Sequence, residues 1–268
     1  MSEDKKDVAE KAKTDVATMD VSMFEADAGV GMQMDQEDLA LPFLKVLSAM
    51  DPGLQSGEID AKAGDIYNTV TGAIYPGKEG VQVIPCAYQR RFIEWSPRGQ
   101  GSGAPINMYS PSDDRPETER NPDDNKDYVK GGDGSYIEET HQHYVVIVEP
   151  DGTYNTALIP MKSTQLKKSR RWNSMVASQM MHNKDGQAFQ PPRFSFVYNL
   201  KTLQEKNDKG SWHGWDITRD EAVANAGIYG AAKAFSESIS AGDVVVKHVQ
   251  DGADDEDDAP FSGAKRLR

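Results

Sequence analysis

Between residues 57 and 95, apolar and β-branched residues recur in short runs cut by Gly and Pro: GDIYNTVTGAIYPG and GVQVIPCAYQRRFIEW. Such runs predict strands joined by tight turns. In HQHYVVIVEPDGTYNTALIP, two β-rich runs flank Pro150-Asp151-Gly152, which predicts a hairpin. The next segment, STQLKKSRRWNSMVASQMM, places Leu166, Val176 and Met180 near helical spacing, with Ser163 as the expected cap. After Pro191-Pro192, RFSFVYNL and SWHGWDIT predict two strands around a polar NDKG turn. Thr218 and Glu221 have the spacing of a capping box and predict the start of a C-terminal helix.

Three β segments, one helix and two further β segments form the order of an OB-fold, a five-stranded barrel found among oligonucleotide binders. The predicted class is therefore mainly β with helices, an OB-fold-like five-stranded barrel. Three stretches stand outside the pattern. Residues 1–38 are polar and acidic and predict a mobile arm, with packing expected from LALPFLKVLSAM onward. Residues 96–135 hold almost no aliphatic side chains and predict a long insertion loop. Residues 249–268 predict a disordered acidic tail, which leaves 39–248 as the folded domain.

Charge is unevenly spread. The chain of 268 residues carries a formal charge of -13, which on a uniform surface would repel phosphate. Yet residues 1–40 hold 11 acids and 4 bases, and 251–268 hold 6 and 3, so of 43 acids and 30 bases the body keeps 26 and 23. The ends carry most of the excess. A single cysteine, Cys86, excludes an internal disulfide and a Cys-based zinc site, and its setting reads as a small buried residue. The charged N-terminus has no apolar signal region and no run approaches a membrane span, so a cytoplasmic protein without a membrane partner is expected.

From Gly152 to Lys184 no residue is acidic, while Lys162, Lys167, Lys168, Arg170, Arg171 and Lys184 are basic. On a helix Lys167 and Arg171 share a face, with Trp172 adjacent. Bases that follow a phosphate backbone, beside an aromatic that stacks on a base, are the parts of a single-strand binder; the plainer reading is a solvated helix face. A second cluster lies in AYQRRFIEW, where strand alternation sets Arg91 and Trp95 on one face and Arg90 and Phe92 on the other. Half of these must face the core. Trp212 and Trp215 in GSWHGWDI form a third cluster, suited to core packing as much as to stacking.

Catalytic chemistry has weaker signals. His141 and His143 have a strand spacing seen in some metal sites but lack further ligands, so no metal and no cofactor is expected. Asp113, Asp114, Asp123 and Asp124 could serve a metal-dependent nuclease, although they sit in a Pro-, Asn- and Gly-rich segment. No phosphate loop or nucleophile elbow is present. A binding protein is expected over an enzyme, with a nuclease or a protein-interaction scaffold as alternatives.

With the basic TQLKKSRRWNSM and the tail DDEDDAPF together, the chain resembles phage single-stranded DNA-binding proteins, in particular those of podoviruses that package a virion RNA polymerase. The resemblance implies single-stranded DNA as partner in replication and recombination. It implies that Asp254, Asp255, Glu256, Asp257, Asp258 and Phe261 dock replication or recombination proteins. It further implies that the C-terminal end contacts host RNA polymerase and activates late transcription. In this chain Phe261 is followed by SGAKRLR, so Lys265, Arg266 and Arg268 add a basic tip that such tails lack. The acidic tail could also occupy the basic groove until DNA displaces it.

Overall fold

The computed structural model describes residues 21–32, 39–97, 99–100, 102–207, 210–244, 246–248 and 250. By internal contact the chain divides into residues 1–39 and 40–268. In the first unit the described part contains one short helix, α1 (Val21–Ala26). Residues 1–20 and 33–38 of the acidic arm and the tail residues Asp254, Asp255, Glu256, Asp257, Asp258, Phe261, Lys265, Arg266 and Arg268 lie outside the described residues.

The second unit is mainly β, in OB-like order. It opens with β1 (Leu44–Val46), the short helix α2 (Pro52–Ser56), β2 (Ile66–Asn68) and β3 (Ile74–Tyr75). The long strand β4 (Val81–Trp95) follows. After it, the predicted insertion loop carries three short strands, β5 (Asn107–Tyr109), β6 (Thr118–Arg120) and β7 (Asp127–Val129). β5 pairs with the end of β4, where Phe92 meets Tyr109, β7 pairs with the start of β8 (Tyr136–Val148), where Tyr136 meets Tyr128, and β6 pairs with β7. Ladder bonds to those ends order a segment whose composition alone reads as loop. The chain continues through β9 (Tyr154–Lys162), α3 (Leu166–Ala177), β10 (Met181–His182), β11 (Ala188–Phe189), β12 (Phe196–Asn207), β13 (Gly210–Ala222) and α4 (Ala226–Ala241).

The five long strands β4, β8, β9, β12 and β13, with α3 between the third and fourth, are the expected five. They pair antiparallel in the order β13-β12-β4-β8-β9. The sheet curls. On one side Leu158 N donates to Pro42 O at 2.8 Å, bringing in β1 and with it β2 and β3. On the other, Thr202 N donates to Gly77 O at 2.9 Å, which brings that small sheet back to β12. Gly77 is needed there, because a Cβ would lie 2.1 Å from Gly64 O. The Pro150-Asp151-Gly152 turn joins β8 to β9 as expected, with Gly152 at φ +86°.

Both faces of the central strands are covered, which explains the unbroken apolar run in β8. Val145, Ile147, Ala157 and Ile159 point inward with Val83, Leu200 and Trp215. Tyr144, Val146 and Leu158 point outward under Ile228, Ala232, Phe235 and Ile239 of α4, one stripe along that helix. A bulge between Pro85 and Ala87 lets a proline sit in a central strand without a missing ladder bond. Cys86 lies in the bulge, and burial pushes its thiol up to about 12, the wrong direction for a nucleophile.

Two expected caps are corrected. Thr218 and Glu221 lie in β13, Thr218 opposite Asn199, and α4 is capped instead by Asn225, whose Oδ1 accepts from Gly227 N and Ile228 N. The strand ladder satisfies more backbone groups than a four-residue capping pattern. Ser163 sits at φ +49° in a 3-10 turn and caps nothing; α3 has no side-chain cap. The buried stripe of α3 is Ser169, Trp172 and Val176, and Met180 is exposed beyond its end. At the other end the fold reaches past residue 248: Gln250 Nε2 donates to Ser96 O and Tyr136 Oη. Among the described residues no helix is long and apolar enough to cross a membrane.

Candidate nucleic-acid interface

Strand register separates the β4 cluster as alternation requires. Arg90 and Phe92 share the inner face with their partners His141 and Glu139; Arg91, Ile93 and Trp95 share the outer face. Arg90 Nε bonds Glu139 Oε1 at 2.9 Å, and its guanidinium stacks on Phe92 at 4.9 Å. Arg115, from the insertion, covers the same ring at 3.5 Å. Arg91 donates to Gln89 Oε1 and to Ser110 Oγ. Trp95 packs with Ile93 and Tyr136 and is 4% exposed. The structure thus places this expected stacking residue in a packed cluster.

Trp172 and Trp215 likewise lie in the barrel interior, at 0% and 2% exposure. Trp172 stacks instead on His143, ring centroids 4.5 Å apart. Trp212 alone of the four is half-buried, and its Nε1 donates to Glu205 Oε2 at 3.0 Å. The basic side chains around α3 divide in two. Lys162 pairs with Glu138, Lys168 with Glu205, and Arg170 with Glu139. Lys167 and Arg171 are exposed, one turn apart, and make no ion pair among the described residues. The strands thus bring acids to a segment that is itself free of them.

Beneath α3 lies a polar relay that the sequence did not announce. Arg193 Nη2 lies 3.2 Å from His143 Nδ1, His143 Nε2 lies 2.7 Å from Ser169 Oγ, Ser169 Oγ lies 2.7 Å from His141 Nδ1, and His141 Nε2 lies 2.9 Å from Glu139 Oε1. A guanidinium only donates, so His143 Nδ1 must accept and its Nε2–H must donate to Ser169. The serine hydroxyl then donates to His141, and His141 donates to Glu139. One set of proton positions satisfies every member, with both histidines neutral. Burial pushes both ring pKa values down, for His143 far below the ordinary value. Burial disfavours the Glu139 carboxylate, but the His141 bond, Arg90 and Arg170 outweigh it and hold the group ionised.

Glu139, His141 and Ser169 are of the residue types of a nucleophile triad and are hydrogen-bonded in that order, but the Ser169 side chain is fully buried, at 0% exposure. Two of the four loop aspartates are tied into turns: Asp113 accepts from Ser110 N, and Asp124 from Tyr128 Oη and Lys126 N. No group of three or more His, Cys, Asp or Glu among the described residues is placed to hold a metal ion. An open cleft of about 430 Å³ between the insertion and the inner face is lined by Asp113, Asp114, Asp127 and Glu139 around Arg115, so its charge does not suit phosphate.

Sequence reasoning missed Tyr88, Asn173 and Arg193. Tyr88 was within reach, since strand alternation sets it on the face of Arg90 and Phe92, and its half-buried ring packs on His141 and His143. Arg193 follows Pro191-Pro192 and had no periodic signal.

A protein-family model described as Pam3 phage gp34-like protein matches residues 9–245. Neither the curated proteins nor the solved structures include a match.

Proposed function

The chain belongs to the Pam3 phage gp34-like family and is a phage protein, and on that premise we propose that it binds single-stranded DNA with little sequence preference. Its roles would be in replication and recombination. One observation carries the reading: an OB-order barrel presents Lys167 and Arg171 from the helix between its third and fourth strands, both exposed and outside any described ion pair. Cations on such a barrel follow a phosphate backbone, and the half-buried Tyr88 supplies a ring on β4. The acidic tail belongs to the proposal as a docking peptide for replication or recombination proteins, with host RNA polymerase as the partner of its end.

The test is anisotropy of a labelled dT oligomer, titrated with full-length protein at several salt concentrations and against duplex of equal length. Intrinsic tryptophan quenching is a poor readout, because three of the four indoles are buried. Binding that weakens steeply with salt and prefers the single strand supports the reading. Equal or absent binding of both DNAs rejects it.

A further inference from the structure

Arg193 is a largely buried guanidinium with no carboxylate beside it. Its described hydrogen bonds are both made by Nη2, to His143 Nδ1 at 3.2 Å and Asn173 Oδ1 at 2.9 Å. Both acceptors are neutral. Nε is buried without any partner, and Nη1 makes no hydrogen bond among the described residues. The groups that act on it electrostatically are Tyr198, Cys86, Tyr88 and His143, none of them a carboxylate. Tyr88 presents its ring 5.7 Å from the guanidinium carbon, and its hydroxyl is likewise unbonded among the described residues. Arg90 and Arg170 act on the same ring, with Glu139 as the sole carboxylate, so three cations face one anion.

A buried charge is ordinarily matched by a partner, because desolvating it alone is strongly unfavourable. Here burial lowers the guanidinium pKa to about 10, and the relay to Glu139 offers only neutral acceptors at the arginine end. The missing partner is an anion, and the planar fork of arginine suits a phosphate. We propose that Arg193, with Tyr88 and Asn173, forms a phosphate-binding subsite at the arginine end of the relay beneath α3. The phosphate is one of a nucleic-acid strand, with the Tyr88 ring beside it as a platform for the adjoining base. Only the identity of the carrier rests on the single-strand reading; the anion site itself does not.

Asn173→Asp is the most telling variant, since it puts an isosteric carboxylate 2.9 Å from Arg193 and supplies the counter-ion from within. The full chain is melted in sodium phosphate and in sodium chloride at equal ionic strength. The wild type is expected to melt about 2–4 °C higher in phosphate. Asn173→Asp is expected to melt at or above the wild type in chloride and to lose the phosphate response. Arg193→Lys, which keeps the charge without the fork, should lose most of it. Phosphate also stabilises folds generally, so an equal response in all three proteins overturns the site.

A dT-oligomer titration then identifies the carrier. If the strand's phosphate is bound, the slope of log affinity against log salt falls by about 0.7 in Asn173→Asp. An unchanged slope, with the phosphate response lost, overturns the nucleic-acid carrier and leaves a site for free phosphate. Wild-type protein that binds no dT at any salt rejects the single-strand reading, while the melting comparison still decides the anion site.

Discussion

The two basic regions of this protein contrast in a way that residue counting does not show. Around α3, Lys162, Lys168 and Arg170 come from an acid-free stretch, yet each meets an acid supplied by a strand: Glu138, Glu205 and Glu139. Arg193 comes from an ordinary turn after two prolines and meets none. Neutralisation is decided across the sheet, not along the chain. A basic run is therefore weaker evidence for phosphate binding than one cation left without a partner in a folded setting.

The sharpest break of that contrast concerns what lies between the two regions. Trp172 separates the exposed face of α3 from the relay, and Trp172→Ala should cost about 3–5 kcal/mol in urea unfolding, as expected of a core indole. Arg171→Ala should leave the unfolding midpoint in place. A large loss of DNA affinity without loss of stability in Trp172→Ala would make it a stacking residue after all.

Next in size is the response to acid. Burial depresses the pKa of His141, His143 and His248 in the folded state, the last to about 4. Below the ordinary value near 6.5 the unfolded chain takes up protons that the folded chain does not, so stability must fall as pH drops. Each histidine contributes up to about 1.4 kcal/mol per pH unit between 6.5 and its folded pKa. Melting temperatures should be flat from pH 8 to 7 and fall steadily below 6.5. A flat profile down to pH 5 would mean that the relay holds protonated histidines.

Smaller effects separate matched from unmatched cations directly. Arg171→Ala should lower the salt slope of single-strand binding by about 0.7, one phosphate contact. Lys168→Ala should change it less, since Glu205 already neutralises that ammonium. Glu139→Gln should strengthen binding by releasing Arg90 and Arg170, while its amide oxygen still accepts from His141. Equal effects of Arg171→Ala and Lys168→Ala would remove the distinction. Smallest, and confined to low salt, is deletion of residues 251–268. Loss of an acidic segment that competes for the cations should tighten binding there, and unchanged affinity would exclude that competition.

Much of the architecture was legible in order along the chain. The Pro150-Asp151-Gly152 hairpin, the helix carrying Trp172 and the five strands follow from period and punctuation, because those signals act between near neighbours. Strand alternation likewise separated Arg90 and Phe92 from Arg91 and Trp95. Errors arose where a local signal met a longer-range competitor. Thr218 and Glu221 match a cap but complete a ladder to β12, and residues 96–135 lack apolar content yet gain strands from the ends of β4 and β8.

What the sequence by itself determined is the order of the five long strands and the helix between the third and fourth, the turn at Pro150-Asp151-Gly152, and the concentration of negative charge at the chain ends. Tertiary structure alone decided which tryptophans are buried, which cations are matched, and that His141, His143 and Ser169 from two elements form one relay between Glu139 and Arg193. The physical reason is range: backbone geometry and periodicity act over a few residues, whereas desolvation and ion pairing depend on groups that only folding brings within about 4 Å.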